Sequence, residues 1–343
     1  MVDGDLAASS SDLANRCLLI YLPCHDDFAL ALEQVTRIRS YVNALPFEVK
    51  SLLNVRVCVS VNSSKIESRD ILELQTVADH VISYGFPISG DLNITLGFLR
   101  AVEFGCDFLW ILSANDVVAE TALTSIYNNL VSRPEIDLIV TGNVDDSEIH
   151  AMSSIFVSPH TSFGYGLISS VIYRMDKFRD GFSWAVQLSW SGWGQLAYIE
   201  RACIKHGIIR PCVIRGTALH IQDRGVGISR RESRMINKKK YAHSYFGGPV
   251  LINSLYGHEP SKRKKLLNKW VRENWFMRNF YSSVKDSTGS GEISQDIWDP
   301  DFINVALRRC DLWYRALYKI GRLIPMASAD RILELVERRI KRD

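Results

Sequence analysis

Apolar residues along this chain follow two rhythms. Short continuous runs, CLLIYLP (17–23), VRVCVSV (55–61), FLWILSA (108–114) and IDLIVTG (136–142), have the length and composition of strands buried on both faces. Between them, apolar residues recur at helical spacing in DDFALALEQVTRIRSYVNAL (26–45), SRDILELQTVADHV (68–81), ITLGFLRAVEFG (94–105) and AETALTSIYNNLVSR (119–133). Ser68 is the expected N-cap of the second helix, and VISYGFP holds a further short strand. The alternation predicts an α/β fold: a mostly parallel sheet with helices on both faces. Such sheets bind ligands beyond the carboxyl ends of their strands. The polar residues that follow the strands, PCHDD (23–27), NSS (62–64) and SAND (113–116), are therefore where chemistry is expected.

The second half follows a different pattern. Residues 151–223 mix small, aromatic and apolar residues, and a polar, basic loop follows, QDRGVGISRRESR (222–234). KRKKLLNKWVRENWFMRNFY (262–281) joins a basic cluster to Leu266, Leu267, Trp270, Val271, Trp275, Phe276 and Phe280, and DSTGSGEIS (286–294) reads as a linker. Two more basic amphipathic segments end the chain. The expected organisation is a loose tail (1–14), a first half (15–150), a second half with its loop (151–235) and a basic, amphipathic helical extension (236–343).

Charge sharpens that division. Residues 261–343 carry a net +7 (18 Lys and Arg against 11 Asp and Glu), whereas the preceding 260 carry −4 (23 against 27). Such a block favours an anionic partner, or else forms a solvated helical face. Seven cysteines without a CxxC pair, several inside strand-like runs, read as small core residues of a reducing compartment. No apolar run approaches the roughly 18 residues that span a bilayer, and the N-terminus lacks a signal pattern. The expected location is cytoplasmic or peripheral to a membrane.

The order and spacing of CLLIYLPCHDD, VRVCVSVNSS and SGDLNITLGFLRAVEFGCDFLWILSANDVVAETAL resemble the nucleotide-sugar half of a family 2 glycosyltransferase of the GT-A fold. The resemblance covers roughly residues 15–235. It implies that Pro23, His25 and Asp26 lie near a nucleotide, with Asn62 in the slot where the family usually keeps an aspartate. Asp91 and Asn93 would border the base and ribose pocket, and Ser113-x-Asn115 would replace the family's metal-binding Asp-x-Asp, followed by Asp116. Two carboxylates commonly hold Mg²⁺ or Mn²⁺ against a leaving diphosphate. Ser113 and Asn115 are neutral, so the resemblance implies either a weakened metal at Asn115 and Asp116 or cationic replacement. Arg224, Arg230 and Arg231 of the basic loop are the candidates, with His220 as part of a lid.

GWGQ (192–195) resembles the helix start where such enzymes keep the base that deprotonates the acceptor. Gln195 cannot do this, and Glu200 is expected to point elsewhere. Asp180, on a glycine turn in FRDGFSW, is either a substitute catalytic residue beside Asp116 or part of a surface turn. Trp190 and Trp193 could stack on an acceptor sugar or belong to the core. The implied activity is sugar transfer, with inversion as the family default, from a nucleotide-sugar donor to a lipid-linked glycan of a surface polysaccharide. The basic helices would rest on the inner face of the cytoplasmic membrane. The competing expectation is a catalytically silent GT-A module that binds a nucleotide or a partner. A nucleic-acid partner is not expected, because the basic stretch matches no recognisable binding module.

Overall fold

The computed structural model describes residues 16–25, 27–63, 65–86, 88–114, 116–141, 151–157, 168–189, 193–214, 220–221, 248–274 and 312. The apolar runs form a mixed sheet in the order β3-β2-β1-β4-β7-β6-β8. Its strands are β1 (Arg16–Cys24), β2 (Leu53–Val61), β3 (His80–Ser83), β4 (Phe108–Ile111), β6 (Leu138–Thr141), β7 (Val171–Arg174) and β8 (Pro211–Ile214). Only β7 runs against the rest, pairing antiparallel with both β4 and β6. A separate ribbon joins β5 (Asp116–Val117) to β9 (His220–Ile221).

Alternation along each strand sends side chains to two cores. Leu18, Ile20, Leu22, Phe108 and Trp110 face one side, packed beneath α1 (Phe28–Ala44), α3 (Ser68–Val77) and α5 (Ala122–Ser132). Leu19, Tyr21, Leu109 and Ile111 face the other, beneath α4 (Gly90–Glu103), α6 (Met175–Phe178), α7 (Phe182–Leu188) and α8 (Gly194–His206). The fold is thus α/β, a mostly parallel sheet with both faces covered, as the alternating pattern predicts.

Several boundaries differ from the sequence expectation, each for a local reason. The first strand runs through Pro23 rather than stopping there. Tyr21 accepts the Leu112 N–H from the β4 side. Two residues later the missing Pro23 N–H faces that side again, past the last paired residue of β4, so no ladder bond is lost. The cap of α3 is Glu67 rather than Ser68, because the Asp70 carboxylate turns back to accept the Glu67 N–H at 3.0 Å. The helix then ends at Val77, and His80 and Val81 join β3. α4 begins four residues early, capped by the Ser89 hydroxyl on Leu92 N–H. A short helix, α2 (Phe47–Leu52), and strands β5, β7, β8 and β9 had no clear signature in the periodicity.

The described part of the C-terminal extension holds a helix at 248–255, α9, and α10 (Pro260–Asn274). Leu266, Leu267 and Trp270 of α10 are buried, with the Trp270 ring edge-on to Phe156 and to Trp193. A Cβ on Gly248 would lie 2.3 Å from that indole, so the two helices meet through a glycine. Of the apolar residues expected to face a membrane, Leu266, Leu267 and Trp270 are buried inside the protein, while the exposed face carries Lys262, Lys264 and Lys265; the side chains of Val271, Trp275, Phe276 and Phe280 lie outside the described residues. Among the described residues, no helix is long and apolar enough to cross a membrane.

Candidate functional site

From β1 the chain moves outward to β2 and β3, then crosses back to β4 on the other side of β1. The carboxyl ends of β1 and β4 are therefore the strand-order switch where α/β sheets open a crevice. Three clusters of the expected residues meet along this edge.

At the β1–β2 end, Asn62 is buried and its amide N–H₂ donates to the Ile88 carbonyl at 3.0 Å. That leaves the Asn62 carbonyl oxygen toward His25, whose Nδ1 lies 2.6 Å away. The oxygen can only accept, so His25 Nδ1 carries the hydrogen. In the neutral ring Nε2 is then an acceptor, and it faces away from the buried amide. The pair thus presents an exposed imidazole, held by β2, where the chain leaves β1. Pro23, half-buried, completes this end.

At the start of α4, Asn93 differs from expectation. Its carbonyl oxygen accepts the Tyr21 hydroxyl at 2.9 Å and also the Ser60 hydroxyl. The side chain is buried under β1 and β2 and cannot border a ribose; its polarity ties the helix to the sheet. Asp91, in the first turn of the same helix, is half-buried at the edge.

At the end of β4, Ser169 acts as a clamp. Its carbonyl accepts the Trp110 indole N–H at 2.8 Å, and its hydroxyl oxygen accepts the Ser113 N–H at 2.9 Å. The hydroxyl hydrogen serves the Asp116 carboxylate. Burial holds the Asp116 carboxyl above the usual carboxylate range, and the Ser169 hydrogen bond works against that rise. Gln34 of α1 donates its amide to the Asp116 backbone carbonyl. Pairing of β5 with β9 sets Asp116 opposite Ile221 and Val117 opposite His220, so the expected lid returns to the end of β4. Among the described residues, no three His, Cys, Asp or Glu side chains gather as a metal site. Asp116 is a single carboxylate, desolvated and hydrogen-bonded to a serine, which does not make a preformed ligand set.

On the acceptor side, α8 starts against α4. A Cβ on Gly194 would lie 3.2 Å from the Thr95 hydroxyl, which brings Gln195 to this same edge, buried. Trp193 is buried against Trp270 and takes the core reading rather than the sugar-stacking one. Asp180 is exposed and pairs with Lys205 on the last turn of α8. The neighbouring Gly181 packs on Tyr198, three residues past Gln195, so Asp180 lies alongside α8 with its carboxylate turned to Lys205. Glu200 points elsewhere, as expected: fully buried, it accepts the Ile155 N–H at 2.9 Å and the Tyr256 hydroxyl.

Asp26, Asn115, Trp190, Arg224, Arg230 and Arg231 lie outside the described residues, as do the tail and the last helices. Sequence reasoning missed Ser169, Gln34, Tyr21 and Ser60. All four act by hydrogen bonds to residues 33 to 82 positions away, which no local motif announces.

No family model matches the chain, and no curated protein matches it. Among solved structures it is similar to residues 1–349 of TarS from S. aureus in complex with UDP-GlcNAc. That match has 12% identity and a TM-score of 0.45, covering 78% of this chain and 80% of that one. It is also similar to a mannosyltransferase from Pyrobaculum calidifontis in complex with GDP-Man and Mn²⁺. There the identity is 10% and the TM-score 0.44, covering 89% of this chain and 84% of the other.

Proposed function

We propose that the protein is a GT-A glycosyltransferase that takes a nucleoside diphosphate sugar at the carboxyl edge between β1 and β4. The observation that carries this reading is the convergence there of His25 held by Asn62 and of Ser113 and Asp116 held by Ser169. His25 and Asn62 would meet the base, and Asp91 the ribose. The diphosphate would lie over the end of β4, near Ser113 and Asn115. Asp116 is the one carboxylate among the described residues at the end of β4, so neutralisation is assigned to the cationic loop, with Arg224, Arg230 and Arg231 donating charge-assisted hydrogen bonds, over a weak metal at Asn115 and Asp116. The acceptor would be a lipid-linked glycan of a surface polysaccharide at the inner face of the cytoplasmic membrane. The exposed lysines of α10 would attract the anionic surface, since Leu266, Leu267 and Trp270 are used internally.

The test is titration calorimetry with UDP, GDP, CDP and ADP, with and without EDTA, followed by donor-hydrolysis and transfer assays. Binding of at least one nucleotide that weakens about tenfold in Asn62→Ala supports the site, on the scale of one or two lost hydrogen bonds. Failure of every nucleotide to bind ends the proposal.

A second reading, a silent module that binds donor without turnover, is favoured by one specific observation. Gln195 stands where the resemblance implies a base, and the expected substitute, Asp180, is exposed and ion-paired with Lys205. Nucleotide binding with no hydrolysis or transfer across donors and acceptors would decide for it.

A further inference from the structure

Away from the crevice, at the amino edge of the sheet, two thiols touch. Cys17 opens β1, and Cys106 lies in the turn between α4 and β4; their sulfurs are 2.8 Å apart, with exposures of 7% and 1%. Backbone geometry fixes the contact. The Asp107 N–H donates to the Cys17 carbonyl at 2.9 Å, and the Cys17 N–H donates to the Asp107 carboxylate at 2.8 Å. Gly105, at a φ of 63°, makes the turn that directs Cys106 inward, and the Cys106 N–H is held by the Ala101 carbonyl. The two segments are thus clamped in register on either side of the sulfur pair.

We propose that Cys17 and Cys106 form an oxidisable dithiol, closed to a disulfide by a small hydroperoxide and reopened by thiols. A disulfide bond is about 2.05 Å long, so closure asks for less than about 1 Å of movement. Either sulfur can donate in this contact; with Cys106 as the donor, the bond lowers the Cys17 thiol from its ordinary value and raises Cys106, burial works against the lowering at Cys17, and the nearby Arg56 charge favours the Cys17 thiolate. Cys17 is accordingly the nucleophile. Its thiolate attacks one peroxide oxygen, the O–O bond breaks, and hydroxide leaves to take up a proton as water, giving a sulfenic acid. The Cys106 sulfur then attacks the Cys17 sulfur. The S–S bond forms, the S–O bond breaks, and the departing hydroxide takes the Cys106 proton as a second water. Overall, two thiols and one hydrogen peroxide give one disulfide and two waters. The bond would join residues 89 positions apart and tie the amino ends of β1 and β4, the two strands whose carboxyl ends flank the crevice. Closing so long a loop restricts the unfolded chain most.

The test treats the full chain, natively folded, with hydrogen peroxide, blocks free thiols, and maps peptides by mass spectrometry. The expected result is a 17–106 cross-link, a fall from seven free thiols to five, and a rise in Tm that dithiothreitol reverses. In Cys106→Ala, Cys17 should stop at a sulfenic acid that dimedone traps. The proposal is overturned if the cross-link forms only in urea, if another cysteine oxidises while this pair stays reduced, or if Tm is unchanged by a mapped bond. Should the alanine variant fold poorly, the wild-type arm alone decides.

Discussion

Glu200 offers a quantitative test of how the C-terminal helices are joined to the sheet. It is fully buried in the middle of α8, and its carboxyl oxygens receive the Ile155 N–H and the Tyr256 hydroxyl, with the Ser154 hydroxyl also in reach. One side chain thus joins α8, the 152–157 segment and the Tyr256 helix end. Glu200→Ala leaves two buried donors without an acceptor, each costing about 1–3 kcal/mol, so the expected loss is about 3–5 kcal/mol. Glu200→Gln keeps the volume and one acceptor, and the expected loss is about 1–2 kcal/mol. A cycle with Tyr256→Phe should return a coupling of about 1–3 kcal/mol for residues in direct contact.

The pH dependence of that loss has a defined sign. Burial raises the Glu200 carboxyl above its unfolded value of 4.5, against the hydrogen bonds and the Lys262 charge that lower it. The native state therefore binds the proton more tightly, and this contribution to stability is complete below about pH 4.5. It declines as pH rises through the native value. Glutamine cannot ionise, so the advantage of wild type over Glu200→Gln should be largest in acid and shrink toward alkaline pH. Urea denaturation across the pH range measures this directly. A cost below about 1 kcal/mol for Glu200→Ala, or a wild-type advantage that grows with pH, would refute the buried-carboxyl account.

Three further outcomes follow from the site and its packing. Asp116→Asn should leave nucleotide affinity within about threefold, with or without added Mn²⁺, because the desolvated carboxyl is held by Ser169 rather than by a ligand set; a loss of about 1.4 kcal/mol or more that depends on Mn²⁺ would show a metal ligand. Asp180→Asn should leave donor binding and any turnover unchanged, since its carboxylate is exposed and ion-paired with Lys205; a large fall in kcat with unaltered KM would establish it as the base. Gly97→Ala gains about 1 kcal/mol of helix propensity but sets a methyl 2.8 Å from the Tyr21 ring, which is buried and pinned to Asn93, so thermal unfolding should report a net loss of about 1–3 kcal/mol.

The parts of this protein that are legible in its sequence are those set by local rules. β1, β2 and β4 are readable because burial on both faces demands uninterrupted apolar runs, and the polar residues after them mark the carboxyl edge. β7 and β8 are four residues each and carry no comparable run, so their places beside β4 and β6 emerge only from tertiary pairing. Distance along the chain misleads at Asp180, 15 positions before Gln195. The chain beside it packs on Tyr198 of α8 through Gly181, and the Asp180 carboxylate turns to Lys205 in the last turn of that helix. Trp193 has the same ambiguity in reverse: an aromatic at a helix start fits a sugar platform or a core equally, and the partner that decides it, Trp270, comes 77 residues later. Asn93 shows the limit of a polar motif, because a buried amide shared by Tyr21 and Ser60 resembles a ligand-binding asparagine until those partners are known.

These outcomes share a physical theme. Around the crevice, groups that a metal-dependent donor site would leave free are instead bound to one another: Asn62 to His25, Asp116 to Ser169, Gln195 within the core. Neutral, mutually satisfied groups lower the cost of burying the edge but supply little positive potential to a diphosphate. Under the proposed function that potential is assigned to the basic residues of 222–234. The return of β9 to β5 brings the backbone just before the 222–234 basic loop to the end of β4. If the proposed function holds, nucleotide binding should respond to ionic strength more than to chelators.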